Sequence, residues 1–194
     1  MTVPTWAFLD FTAPLCYVAD AALRRLEEEG RMELHLRAAE LFPVPEEPPP
    51  IPDAEWSEAE PLAEAAGLPL LRPRFRPRTA KAHEAVRLAG EHGFATPMRA
   101  AIFAAFFAEG RDIGRIDVLV ELGERLGMEL SLLKAGLDVD RWSAQVAREA
   151  AEARRLGVGQ LPVIVVGGGS GARVAAGAQS YDSLRTMLDA FPDA

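Results

Sequence analysis

The chain contains a single cysteine, Cys16, in a run that could support sulfur chemistry. The apolar stretch Trp6-Ala7-Phe8-Leu9 leads into Asp10-Phe11-Thr12-Ala13-Pro14-Leu15-Cys16-Tyr17, and a helix-like pattern leads out. A thiol near a helix start lies where the partial positive charge of the helix end favours the thiolate. Thiol–disulfide exchange within one chain uses two cysteines flanking two residues, the first attacking and the second resolving. Cys16 holds the second place, and Ala13, with neither sulfur nor hydroxyl, holds the first. The apolar neighbours Pro14, Leu15 and Tyr17 oppose ionisation by desolvation. A fall of about one pKa unit corresponds to roughly 1.4 kcal/mol, which partial burial can cancel. Two readings of Cys16 therefore stand: a quiet, partly buried thiol, or a sulfur reactive enough for mixed disulfides or glutathione adducts. A full cycle would need a second thiol from substrate or glutathione.

Other groups offer weaker chemistry. Arg72, Arg74, Arg76 and Arg78 alternate with Pro73, Phe75 and Pro77. They could bind carboxylates through two-pronged guanidinium pairs, or they form a solvated extended strand. His35 belongs to the polar side of a strand, whereas His83 and His92 share a helix nine residues apart. That spacing supports no metal site, although His83 could face a groove as an acid or base. Residues 167–171, Gly-Gly-Gly-Ser-Gly, follow a strand and precede another strand, so they read as a hairpin turn rather than a phosphate cradle.

The elements that must position these groups follow from pattern. Residues 3–9 read as a short buried strand. Pro14 suits the first turn of a helix that runs to about residue 29, with Leu15, Val18, Ala22, Leu23 and Leu26 at helical spacing and Gly30 as its stop. Residues 32–38 alternate apolar and polar, as a half-buried strand does. Strand, helix and strand in this order predict a right-handed βαβ unit. Residues 42–53 hold six prolines and form an extended surface connection, a stiff spacer or a docking segment. A short helix at 55–66 and an extended piece at 70–78 follow. Helices are then expected at 80–93 (with Thr79 as N-cap), 97–109, 116–126, 131–135 and 140–156. The β-branched run at 162–166 predicts a strand buried on both faces, paired in a hairpin with 173–176 and closed by a helix at 181–190. The predicted division is a sheet domain at 1–78 and 157–194, with the Pro-rich connection at 42–56, and an inserted helical subdomain at 79–156.

Composition bounds the function classes. At 194 residues the chain suffices for one sizeable domain, and its formal net charge of −8 argues against nucleic-acid or anionic-membrane binding. A lone cysteine fits a reducing compartment. Residues 1–11 lack the basic flank and long apolar core of a secretory signal, and no apolar run reaches membrane-spanning length. The reading is a cytoplasmic protein, and the Ala, Arg, Leu and Pro bias suggests a GC-rich bacterial source.

Four segments resemble one family. Asp10 followed by Ala13-Pro14-Leu15-Cys16-Tyr17 is similar to its Asp-x-x-Cys-Pro-Trp-Cys-Tyr motif. Residues 98–110 (MRAAIFAAFFAEG) with Asp112-Ile113 are similar to its helical-insert signature. Ala153 and Gly157-Val158-Gly159-Gln160-Leu161-Pro162 resemble the approach to its cis-proline, and Gly177-Ala178-Gln179 the end of its hairpin. The chain thus resembles the DsbA-like thioredoxin family, in the branch of FrnE-type proteins and 2-hydroxychromene-2-carboxylate isomerases. The resemblance implies an α/β, thioredoxin-like fold with an inserted all-helical subdomain. It implies Cys16 as the catalytic sulfur and Ala13, Pro14, Leu161 and Pro162 as substrate-binding residues. It also implies a cis bond before Pro162 that turns the Leu161 backbone outward. No metal or bound cofactor is expected. Glutathione could serve as co-substrate, and the partner would be a small thiol or an extended peptide. The departures are Ala13 in place of the attacking cysteine (or of the serine of the isomerase and of kappa-class glutathione transferases), Leu15 in place of an aromatic residue, and Arg78 in place of an asparagine. The implied function is a thiol–disulfide oxidoreductase with a degenerate Ala-Pro-Leu-Cys site. The alternatives are a glutathione-dependent isomerase or transferase, and a redox-inert binding protein on the same fold.

Overall fold

The computed structural model describes residues 2–191. Strands β1 (Val3–Leu9), β2 (Met32–Ala38), β3 (Val163–Val166) and β4 (Arg173–Ala176) form one sheet in the order β2-β1-β3-β4. β1 pairs in parallel with β2 from Val3 opposite Met32 to Leu9 opposite Ala38. It pairs antiparallel with β3, which pairs antiparallel with β4 as the predicted hairpin. Helix α1 (Pro14–Glu28) makes the β1–β2 crossover, and Pro14 opens it where a missing N–H costs nothing. Gly30 closes it at φ 65°, and the Gly30 and Arg31 N–H groups donate to the carbonyls of Glu27 and Leu26.

Between β2 and β3 come α2 (Asp53–Ala65), α3 (Ala80–Gly90), α4 (Ala95–Phe107), α5 (Ile116–Arg125), α6 (Leu130–Asp138) and α7 (Ser143–Arg155); α8 (Tyr181–Asp189) ends the described chain. α4 is apolar nearly all round because it is enclosed. Met98, Ile102, Phe103, Phe106 and Phe107 are fully buried, and Phe103 and Phe107 meet Tyr17 of α1 at ring-centroid distances of 6.0 and 5.2 Å. The one charge on this helix's buried face, Arg99, is neutralised by Asp20 and Glu27 of α1. The helices between β2 and β3 are thus fastened to the sheet's crossover helix by an aromatic stack and a buried ion pair. No helix among the described residues is long and apolar enough to cross a membrane.

Several boundaries differ from the sequence expectations for physical reasons. α7 starts at Ser143 rather than 140, because Asp140 adopts φ 54° and breaks the helical path. α6 is a nine-residue helix, longer than the short one expected. β3 is buried on alternate residues only, since Val163 and Val165 are half-covered. Thr79 stands at the start of α3 without capping it, because its hydroxyl donates to Asp10 instead, at 2.8 Å.

Candidate functional site

Cys16 sits in the first turn of α1 with no exposed surface. Burial pushes its pKa well above the ordinary thiol value. A backbone hydrogen bond from Asp10 pulls the other way, while the charges of Asp10, Glu55 and Asp20 push further up. At neutral pH this sulfur is a protonated thiol sealed from solvent. Of the two readings left open by the sequence, the geometry accords with the quiet one.

The neighbours of Cys16, Ala13 and Leu15, border a cleft of about 270 Å³ whose lining does not include Cys16. The lining brings together the N-cap and first turn of α1 (Ala13 and Leu15), the segment after β2 (Leu41 and Phe42), the first turns of α2 (Ala54, Glu55 and Glu58), Arg76, and the turn before β3 (Gly159, Gln160 and Leu161). Ala13 and Leu161 therefore share one groove although 148 positions separate them in sequence. Pro14 and Pro162 are buried behind their groove-lining neighbours. The Leu161–Pro162 peptide is cis, as is Val44–Pro45, which the sequence reading did not single out. The Pro162 carbonyl accepts from Gly177 N–H at 2.9 Å, whereas the Leu161 N–H and C=O make no backbone hydrogen bond among the described residues.

One carboxylate organises the floor. Asp10, at the end of β1, accepts through Oδ1 from the Thr12 N–H and hydroxyl, both at 2.6 Å. Through Oδ2 it accepts from Leu41 N–H at 3.0 Å and the Thr79 hydroxyl at 2.8 Å. The Asp-x-Thr turn is a local signal the sequence carries; its links to residues 41 and 79 are tertiary and invisible there. With every acceptor engaged, Asp10 fixes the loop that carries Ala13 and the entry to α3.

The alternating arginines do not form a solvated strand. Arg72 pairs with Glu60 and Asp53, Arg74 is exposed, and Arg78 donates to the Phe42 carbonyl at 3.2 Å. Arg76 is buried in the groove wall, where it donates to the Thr12 hydroxyl at 3.2 Å and the Thr12 carbonyl at 3.3 Å and reaches Glu55 at 3.4 Å. Sequence alternation marked all four arginines equally and could not show which one turns inward.

His83 does not face this groove. It is buried against Phe11 at 4.8 Å between ring centroids, its Nε2 without a hydrogen-bond partner among the described residues, beside a cavity of about 20 Å³ lined also by Arg37, Arg87 and Arg99. Burial lowers its pKa to about 4, against the pull of the Asp10 and Glu149 charges, so the ring is neutral at pH 7. His35 stacks on Trp6 at 5.3 Å. Among the described residues no cluster of three or more His, Cys, Asp or Glu side chains could hold a metal ion.

Comparison with known proteins agrees with this layout. The chain is 28% identical over 181 residues to the uncharacterized protein YwbO of Bacillus subtilis (strain 168), covering 86% of this chain and 88% of that one. Its fold is similar to that of the cytosolic disulfide reductase DsbM from Pseudomonas aeruginosa with GSH, at TM-score 0.75 and 22% identity, over 98% of this chain and 100% of that one. It is also similar to 2-hydroxychromene-2-carboxylate isomerase, at TM-score 0.75 and 17% identity, covering 97% and 94% of the two chains. The model of the DSBA-like thioredoxin domain matches residues 6–189, from the middle of β1 to the end of α8. The four-stranded sheet, the α1 start at Ala13–Cys16 and the helices set between β2 and β3 are thus those of its fold, and the chain belongs to the DSBA-like thioredoxin domain family.

Proposed function

We propose that this protein uses the family's groove to bind a small thiol or an extended peptide, and that its own sulfur does not begin thiol–disulfide exchange. The observation that carries this reading is the contrast between the two motif positions. Ala13, which lines the groove, has nothing to attack with, and Cys16, which does not line it, is fully buried and protonated. The oxidoreductase chemistry of two-cysteine relatives would here need Cys16 as the only working sulfur and an opening of the first turn of α1. In the binding reading Ala13 and Leu161 contact the ligand, Pro14 and Pro162 hold those two residues in place, and Leu161 offers its free N–H and C=O. The sheet domain at 1–78 and 157–194 supplies the groove, with the helical subdomain at 79–156 packed against it. A cytoplasmic location accords with a single unpaired thiol and with the cytosolic DsbM relative.

A second reading, a glutathione-dependent isomerase or transferase, is favoured by one finding: a fold relative is described with GSH and another is an isomerase. Calorimetric titration of glutathione and of short peptides into wild-type and Cys16→Ser protein separates these readings. Binding that survives Cys16→Ser, without disulfide turnover in the wild type, supports the binding module. Turnover that disappears with the thiol overturns it.

A further inference from the structure

A larger cleft, of about 510 Å³, shares no lining residue with the groove. It runs along the outer strand β2 and is bounded by α3, the start of α4 and Trp142 at the N-cap of α7. Three arginines line it, and each keeps guanidinium N–H groups without a partner among the described residues. Arg87 makes all its hydrogen bonds through Nη2, to the Leu36 carbonyl at 2.8 Å and to Glu149. Arg99, only 1% exposed, donates through Nε to Asp20 and through Nη2 to Glu27, which leaves Nη1 over. Arg37 pairs only with Glu149, at 3.6 Å, beyond hydrogen-bond distance. That carboxylate is already held by Arg87, Gln145 and the Ala38 N–H.

Two further features carry the same sign. Helix α4 starts in this cleft: Ala95 and Thr96 line it, and their N–H groups donate to no acceptor among the described residues. Free N–H groups at a helix start favour an anion. The small cavity beside His83 shares Leu36, Arg37, Val86, Arg87 and Arg99 with the cleft and so adjoins it. His83 is 8% exposed, and its unpartnered Nε2 donates when it carries the proton. A space of about 20 Å³ holds about one oxygen atom of water size. The acceptors, by contrast, are mostly engaged. Glu27 accepts from Arg99 at 2.7 Å and from the Thr96 hydroxyl at 3.4 Å. Glu91 accepts from Trp142 Nε1 at 2.7 Å and pairs with Arg141 at 2.9 Å. The carbonyls of Arg87, Leu88, Ala89 and Gly90 at the end of α3 accept from N–H groups of residues 91–94. On the outer edge of β2, Leu34 and Leu36 present their N–H and C=O groups, and Arg87 takes the Leu36 carbonyl. The exposed Glu33 lies outside the lining, 3.5 Å from His35. Unused donors thus outnumber unused acceptors, in a chain whose net charge is −8.

We propose that this cleft binds a small organic oxyanion, a carboxylate or phosphate group on an apolar body. Arg37, Arg87 and Arg99 take the anionic group, for which the guanidinium fork is suited, and His83 meets its innermost oxygen. Leu34, Val86 and Trp142 pack against the body. The site does not depend on what the groove binds. The test is a calorimetric titration of the full chain with benzoate and phenyl phosphate, and with the neutral benzamide and the cationic benzylamine as controls. Wild type, Arg37→Gln and Arg74→Gln are compared, each checked for an unchanged melting profile. Arg37 has no hydrogen bond to lose, and Arg74 is an exposed arginine outside the cleft. The two anions are expected to bind, the controls not, and binding should weaken as salt is raised. Arg37→Gln should weaken both anions about tenfold, and Arg74→Gln should leave them unchanged. The tighter of the two anions identifies the group the site takes. Failure of both anions to bind at millimolar concentration overturns the inference. So does equal binding of benzamide, an equal loss in Arg74→Gln, or anion binding indifferent to Arg37→Gln and to salt.

Discussion

Substituting Ala13→Cys probes the relation between the groove and the sealed thiol. Ala13 stands at the N-cap of α1 and, though only 3% exposed, lines the cleft, so the introduced sulfur would border the cleft. The two positions are three residues apart at a helix start, where Cβ atoms lie roughly 5–6 Å from each other, near enough for a disulfide after small adjustment. A thiol of ordinary pKa that borders a cleft is about 3% thiolate at pH 7, and the helix end can raise that fraction. Cys16 has to wait for local opening, and an opening that costs about 3 kcal/mol slows labelling about 150-fold. Labelling with an aromatic disulfide reagent, followed spectrophotometrically, should therefore give one fast phase in Ala13→Cys that the wild type lacks. Exposure to oxidised glutathione should then yield an internal disulfide, seen by mass as the loss of two hydrogens. If the variant labels as slowly as wild type, Ala13 does not face the groove. If it labels fast and never closes a disulfide, the two sulfurs do not come within bonding reach of each other.

Further predictions concern the frame that holds the groove. The His83 imidazole takes up a proton near pH 6.5 when unfolded and only near pH 4 when folded, so between those values the unfolded chain binds more protons. Stability is full above pH 6.5 and should fall by about 3 kcal/mol as pH drops to 4; denaturant melts of wild type and His83→Phe check this, and an equal slope in both refutes it. Arg99→Ala removes one of the two guanidinium partners of the buried Asp20 carboxylate, Arg24 remaining at 2.9 Å, and denaturant unfolding should register a loss of about 1.5–3 kcal/mol. Gly136→Ala would place a Cβ 2.5 Å from Leu88 Cδ2, so its melt should show a loss of about 1–3 kcal/mol from overpacking.

The sheet and its connections were legible because their signals are local. Alternation fixed β2 at Met32–Ala38 to the residue, and Pro14 with Gly30 bracketed α1. Helix ends were less legible where a tertiary demand intervened, as at Thr79, whose hydroxyl serves Asp10 rather than α3. The motif positions Ala13 and Cys16 could be picked out, and the resemblance paired them with Leu161–Pro162. The burial of Arg76 and the outward turn of Glu55 and Glu58 could not be read. Those orientations are set by how α2, which follows the proline-rich connection, lies over the mouth of the groove, and a run of prolines encodes stiffness rather than direction.

The most direct test of the central claim is the pH profile of Cys16 labelling in the folded wild-type protein. A sulfur fully buried in the first turn of α1 should label slowly and without a titration midpoint at or below the ordinary thiol range, becoming fast only when the chain is unfolded. Rapid labelling of the native protein with a midpoint near neutral pH would show an accessible thiolate and contradict the account.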